Sequence, residues 1–355
     1  MTEFDEWKLG FIQEKLKCFL AFVDSDVKNF GSDTSSNHIQ ITMATTGDKI
    51  LDSALSKIGE KNLFTRELEL ALERKEVDFV VHSLKDLPTL LPEGLLVGCV
   101  YKRDSPYDAV VMHPKHKGKK LEDLPENSVI GTSSLRRGAQ LKKKFPNFTF
   151  ENIRGNLNTR FKKLDDDDKY DAIILAVAGL ERMGWSDRIS EILGKDICMY
   201  AVSQGAMGVE CRDHDYETQD LLAQIHDPET VIACVAERSF LKKLEGGCSV
   251  PLSLTGGVYS IDGTQSKVET VTAKIPKLDE PPTKKYAAII GSDEISPDAL
   301  QIAESVGIKL AEIMLNSEAG EILKEAKKQT AAAVIEEKER KEKERQEKEK
   351  QQQQQ

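Results

Sequence analysis

Residues 127–145, NSVIGTSSLRRGAQLKKKF, run from a short apolar strand straight into a basic helix through a turn of small hydroxyl residues. This unit constrains the fold more than any other feature, because it recurs along the chain. IQITM (39–43) reads as a strand, and NLFTRELELALERK (62–75) as a helix with Phe64, Leu68, Ala71 and Leu72 on one face. VDFVVHS (77–83) is a buried strand, and the loop after it, LKDLPTLLP, is punctuated by two prolines. LLVGCVY, DAVVM, FTFENI and YDAIILAVA are further strands, with LNTRFKKL a helix between the last two. Strands alternating with helices predict parallel sheets wrapped by helices, with ligands beyond the carboxyl ends of the strands. The run is too long for one doubly wound unit, so two α/β lobes with a cleft between them are expected.

From about residue 227 the pattern changes. PETVIACVAERSFLKKLEG (228–246) predicts a long helix leading to Cys248 in LEGGCSVP. The strands SLTGGVYSID, VETVTAKI and YAAIIG follow, and then two helices between Pro297 and about Ala333. This is a small α+β unit. The expected division is 1–103 with 203–226, 104–202, 227–333, and a tail over 334–355. In the tail, residues 336–350 alternate acids and bases, with Glu337–Lys341 and Glu344–Lys348 at helical i,i+4 spacing. Without an apolar stripe this predicts a solvated helix or a disordered tail, not a coiled coil.

Of the 355 residues, 31% are charged and 39% hydrophobic, which suits a soluble chain of two or three domains. The six cysteines (18, 99, 198, 211, 234 and 248) include no C-x-x-C pair, so neither a disulfide framework nor a zinc knuckle is expected. The acidic start MTEFDEWKLG does not resemble a targeting segment, and FIQEKLKCFLAFV (11–23) is too short and too charged to span a bilayer. A cytoplasmic protein is expected. DDDD (165–168) reads as a solvated turn, since adjacent carboxylates do not converge on one ion, and no metal site is expected.

Charge is unevenly placed. Between Gly131 and Lys163 stand nine Lys or Arg residues and one acid, Glu151, in a chain of net charge −10. Arg136 and Arg137 fall in the first turn of a helix, where the macrodipole disfavours cations, just after the turn GTSS. Backbone donors, the hydroxyls of Thr132 and Ser133 and forked guanidiniums together suit a carboxylate or phosphate. A solvated basic face is the alternative. Nucleic acid is disfavoured, because the aromatics there (Phe145, Phe148, Phe150 and Phe161) include two on a strand period that suggests core. VVHSLKDLP places Ser83, Lys85 and Asp86 at a strand end, where an ionised carboxylate can stabilise a cation or pass a proton. The alternative there is a turn-forming Asp. TTGDKILDSALSKIGEKN (45–62) has the length of a lid, and AVSQGAMGVE (201–210) puts Gln204 at a plausible pocket rim.

Taken together, TTGDKILD, LFTRELE, DFVVHSLKDLPT, VIGTSSLRRGAQL, NIRGNLNTRFKKL, AIILAVAGLERMG, QGAMGVE, AERSFLKKLEGGCSVP and LTGGVYSIDG resemble the porphobilinogen deaminase (hydroxymethylbilane synthase) family. The strings follow the family's order from about 42 to 330. The resemblance implies two periplasmic-binding-protein-like (type II) lobes with a cleft, plus a small α+β C-terminal domain. It implies head-to-tail condensation of four porphobilinogen molecules into hydroxymethylbilane with release of ammonia. The implied cofactor is a dipyrromethane held by a thioether to Cys248, in a monomeric enzyme without nucleic acid or membrane partners.

By matching motif, Asp86 is the family carboxylate that stabilises the azafulvenium-like cation left when ammonia departs. Arg136, Arg137, Arg154, Arg160 and Arg182 neutralise the polyanionic pyrroles, and Ser83, Lys85, Thr132, Ser133, Asn156 and Gln204 add contacts. Two departures accompany the match. Residues 1–38 carry no counterpart of the family's Gly-[Ser/Thr]-Arg segment, and Arg66 is the first arginine of the chain. Only Leu252 and Ser253 join Pro251 to LTGGVYS, where the family has a strand and a turn. A catalytically impaired variant of the same fold is therefore one alternative. A non-enzymatic anion-binding module is another, though it has no use for EGGCSVP.

Overall fold

The fold is taken from a computed structural model, which describes residues 65–244, 253–272, 285–291, 295 and 297–353. Cys248, the segment 1–38, the polar stretch 45–62 and the junction after Pro251 lie outside the described residues. The expected strand IQITM (39–43) lies outside them too; among the described residues the chain is mixed α/β, with two five-stranded sheets and a separate β-hairpin. Helix α1 (Arg66–Glu73) precedes β1 (Phe79–Ser83) and β2 (Leu95–Tyr101). The second lobe holds β3 (Asp108–Met112), β4 (Val129–Gly131), α2 (Leu135–Lys144), β5 (Thr149–Glu151), α3 (Leu157–Asp165), β6 (Ala172–Ala176), α4 (Val177–Arg182) and β7 (Glu191–Leu193). The chain then returns through β8 (Met207–Arg212), α5 (Tyr216–Ala223) and α6 (Pro228–Leu244). Hairpin β9 (Ser253–Tyr259) and β10 (Ser266–Thr272) follows, then β11 (Lys285–Tyr286), β12 (Ile289–Ile290), α7 (Pro297–Leu315) and α8 (Glu318–Gln353).

The expectation of parallel sheets is corrected. The first sheet has the order β1-β8-β2-β12-β11 and the second β5-β4-β6-β3-β7. In the first, β8 runs antiparallel to both β1 and β2, and in the second β3 runs antiparallel to both β6 and β7. These are the two strands that the chain enters on crossing from one lobe to the other. A crossing leaves from the strand ends facing the other lobe, so its next strand starts there and runs against its neighbours. Parallel pairing survives where a helix returns the chain, at β4 with β5 and with β6.

YAAIIG, expected in the third unit, instead extends the first sheet. Ile289 pairs in parallel with Val97, whose N–H donates to the Ala288 carbonyl at 3.0 Å. Ala287 and Ala288 take positive φ (47° and 70°) to make the tight β11–β12 turn. Leu84, Val97, Val100, Val231, Val235, Ile289 and Leu300 form one core, binding β2, α6, β12 and α7 together. Burying each such side chain stabilises by roughly 1.5–3 kcal/mol. Helices α6 and α7 approach closely because position 307 is Gly; a Cβ there would collide with the Ala236 carbonyl. Helix α8 continues about twenty residues past the expected end, with Glu337 paired to Arg340 at 2.7 Å. Asp165 and Asp168 of the acidic run pair with Arg188 and Lys115.

Candidate active site

The site is built where the two crossings run side by side. The Asp104 N–H donates to the Gly205 carbonyl at 3.2 Å, and Arg103 Nε to the Gln204 carbonyl at 2.8 Å. Gly205 has φ of +86°, and a Cβ there would sit 2.6 Å from the Asp104 carbonyl oxygen, so the close pairing needs glycine. Arg182, at the end of α4, locks this pair by donating to Asp104 Oδ2 (Nε, 2.8 Å) and to the Gly205 carbonyl (Nη2, 2.8 Å).

At the start of β3 lies Asp108, fully buried, which sequence reasoning missed. Arg137 donates to its Oδ1 through Nε (2.9 Å) and Nη2 (2.6 Å), and Arg136 Nη2 lies 2.8 Å from Oδ2. Gln204 Nε2 donates to Asp108 Oδ1 at 2.9 Å and to the Pro106 carbonyl at 2.7 Å. Burial alone would raise the Asp108 carboxyl, but the two arginines and the bonds from Arg137 and Gln204 hold it well below the usual carboxylate range. Cys198 is close by, its thiol pushed up to about 12 by burial. Gln204, expected at a pocket rim, is thus inside the hinge with 1% of its surface exposed. The signal that marks Asp108 is an acid opening the apolar strand DAVVM in a region rich in arginine.

The other strand ends deliver the remaining groups. In the first lobe β1 ends at Ser83, and a single 3₁₀ turn, Leu84–Asp86, carries Lys85 and Asp86 outward, both exposed. The Leu84 N–H donates to the Ala206 carbonyl at 3.0 Å, pinning this turn to the second crossing. His82 points the other way, 2.9 Å from buried Glu210. Although Lys85 is exposed, the surrounding protein partly desolvates its ammonium. That desolvation lowers its pKa, with Asp86 opposing, Arg137 adding to the fall, Asp108 opposing and Arg136 adding again. The Lys85 ammonium therefore lies within electrostatic reach of the α2 arginines of the other lobe.

In the second lobe the parallel strands β4 and β5 end side by side, with Gly131 opposite Glu151. Thr132–Ser134 follow one, and Arg154–Asn156 the other. Much of the GTSS turn is used by the fold. The Thr132 N–H donates to the Glu151 carbonyl, Ser133 Oγ to the Ile153 carbonyl (2.6 Å), and Ser134 caps α2. Asn156 caps α3 by accepting from the Thr159 N–H at 2.9 Å. Arg160 Nε donates to the Gly155 carbonyl at 2.7 Å, and Arg154 is buried. The structure thus gathers Arg136, Arg137 and Gln204 around Asp108, keeps Lys85 within electrostatic reach of them with Asp86 beside it, sets Arg182 on the crossings, and groups Arg154, Asn156 and Arg160 at the β5–α3 corner. Among the described residues no group of His, Cys, Asp and Glu is arranged to hold a metal ion.

Residues 17–220 match the family description "Porphobilinogen deaminase, dipyromethane cofactor binding domain", and residues 231–316 match "Porphobilinogen deaminase, C-terminal domain". The chain belongs to the porphobilinogen deaminase family. Similar curated proteins, all named porphobilinogen deaminase, include that of Nostoc sp., 48% identical over 79% of this chain and 83% of the relative. Those of Synechococcus elongatus (54% identical, 62% and 72% covered) and Prochlorococcus marinus (45% identical, 82% and 87% covered) are similar as well.

The chain is a transferase of porphyrin biosynthesis with hydroxymethylbilane synthase activity, and it carries the dipyrromethane-binding domain. The residues present fit such a group. A dipyrromethane with acetate and propionate arms is a polyanion, and the exposed Lys85 together with the guanidiniums of Arg136, Arg154 and Arg160 supplies cations suited to its carboxylates.

Proposed function

We infer that Asp86 is the carboxylate at the reacting centre when four porphobilinogen molecules are joined into hydroxymethylbilane, and that Cys248 anchors the dipyrromethane through a thioether. The observation that carries this reading is that the turn bearing Lys85 and Asp86 is pinned at the Leu84 N–H to the second crossing, the same crossing whose Gln204 joins Arg136 and Arg137 on Asp108. When bound, the dipyrromethane supplies a fixed primer with free carboxylates.

The chain's own groups do the rest. Lys85, Arg136, Arg154 and Arg160 hold acetate and propionate arms, and Ser83, Thr132 and Asn156 orient them, with Ser133, whose hydroxyl is committed to the Ile153 carbonyl, contributing through its main chain. Arg137 keeps Asp108 ionised and so fixes the α2 end of the clamp. Arg182 and Gln204 set the distance between the lobes through the crossings. Loss of ammonia from porphobilinogen leaves positive charge on the pyrrole. The exposed Asp86 carboxylate is free to stabilise that charge and to take up the proton released when the new bond forms.

The same reading divides the chain into lobes 1–103 with 203–226 and 104–202 and a third unit from 227 onward that lends its β11–β12 pair to the first sheet, working as a monomer in the cytoplasm. Among the described residues, no helix is long and apolar enough to cross a membrane. Intact-mass measurement after expression with ample porphobilinogen tests the assignment. A mass excess of two pyrrole units that disappears in Cys248→Ala supports it, and an unmodified chain that still turns over porphobilinogen refutes it.

A further inference from the structure

Asp86 has no side-chain hydrogen-bond partner among the described residues, so its placement depends on the backbone of its turn. That backbone is held from behind by one side chain. Arg238, on α6, is 1% exposed and among the largest fully buried residues. Its Nη1 donates to the Leu84 carbonyl (3.4 Å) and the Leu87 carbonyl (3.1 Å), and its Nη2 to the Pro88 carbonyl (2.6 Å). Its Nε donates to the Ala287 carbonyl (3.1 Å) in the β11–β12 turn. These four partners are all main-chain oxygens, and no carboxylate is within ion-pair distance among the described residues.

Burying a guanidinium without a counter-ion is costly. Burial lowers its pKa to about 10, so it stays charged at neutral pH. What the arrangement achieves is geometric. One rigid planar fork spans the carbonyls on both sides of Lys85–Asp86, fixing the width of the turn. The same fork ties that turn to the last strand pair of the first sheet.

We propose that Arg238 is a positioning residue for the reaction: it sets the Lys85–Asp86 turn at its catalytic position and links it to the Ala287 turn. This rests on the reading of Asp86 as the carboxylate at the reacting centre. A backbone shift of an ångström at such a group can cost on the order of a hundredfold in rate. Lysine at 238 keeps the charge but cannot span the carbonyls.

The test compares Arg238→Lys, Asp86→Asn and the double variant in the assembled holoenzyme, reading kcat, KM and the loaded fraction by intact mass. The expected result for Arg238→Lys is a kcat lower by roughly 10- to 100-fold, with KM and loading within about twofold. In the Asp86→Asn background the same change should cost nothing further, because Arg238 acts through Asp86. Additive losses in the double variant, or an unchanged kcat in Arg238→Lys, overturn the proposal. If Asp86→Asn itself turns over normally, the reading of Asp86 fails instead, which separates the two. Should Arg238→Lys fold poorly, Arg238→Gly assayed with and without millimolar guanidinium replaces it; recovery of kcat supports the proposal and its absence in folded protein overturns it.

Discussion

Arg103 and Glu237 form a bidentate ion pair, at 2.6 and 3.1 Å, that fastens the first crossing between the lobes to helix α6. Glu237 also accepts from the Ser203 N–H of the second crossing at 2.6 Å, and Arg103 lies over the Tyr200 ring, 5.1 Å from its centre. One fully buried carboxylate therefore holds both crossings. Glu237→Gln leaves the Arg103 charge uncompensated and should destabilise the fold by about 3–5 kcal/mol. A urea melt measures this, and a loss under 1 kcal/mol would count against the role.

Asp108 gives a pH signature. Its folded-state pKa is depressed, so its contribution is fully present above the unfolded value of about 3.9 and is lost as pH falls toward the folded value. The stability gap between the parent and Asp108→Asn should be constant from pH 8 to about 5 and shrink below about 4. Denaturant melts at several pH values follow it. A gap that widens on acidification would contradict the sign.

For Lys85 the sign is opposite in its consequence. A lowered lysine pKa means that the folded protein resists the charge the unfolded chain carries, a cost present at neutral pH and relieved as pH rises. Lys85→Met should therefore raise the melting temperature of cofactor-free protein while weakening dipyrromethane loading by roughly 10- to 100-fold, the worth of one charged hydrogen bond. Differential scanning fluorimetry and intact mass read the two effects separately.

Gly205→Ala forces a Cβ against the Asp104 and Ser105 carbonyls and strains a residue at φ +86°. It should cost more than about 1 kcal/mol and loosen the Arg182 bond to the Gly205 carbonyl itself. A matched drop in melting temperature and in kcat is the expected outcome.

Local elements were readable in the sequence because their signals are local. VVHS shows as a buried strand, and PETVIACVAERSFLKKL forms the expected helix α6 through Leu244. Strand direction was not readable, since β8 finds its place between β1 and β2 only after the chain has travelled through the other lobe. The basic cluster was legible as charge, but not its organising acid: Asp108 looks like any strand-opening residue until Arg137, 29 positions later, folds onto it. Arg238 was invisible for a related reason, as its four partners are main-chain oxygens that carry no side-chain signature. Ser83, Lys85 and Asp86 were placed correctly at a strand end because the two prolines after them rule out a longer helix.

The sharing of β12 with the first sheet also sets a timetable for biosynthesis. Among the described residues every strand of the second sheet lies between Asp108 and Leu193, so that lobe can close as soon as it leaves the ribosome. The first sheet must wait for Ile289, and at about 5–20 residues per second the edge of β2 stays uncovered for about ten seconds or more. An apolar strand left bare that long is an aggregation hazard. Among the described residues, the lobe that carries Asp86 is thus the last to complete its sheet, and the β11–β12 pair is what covers the open edge of β2.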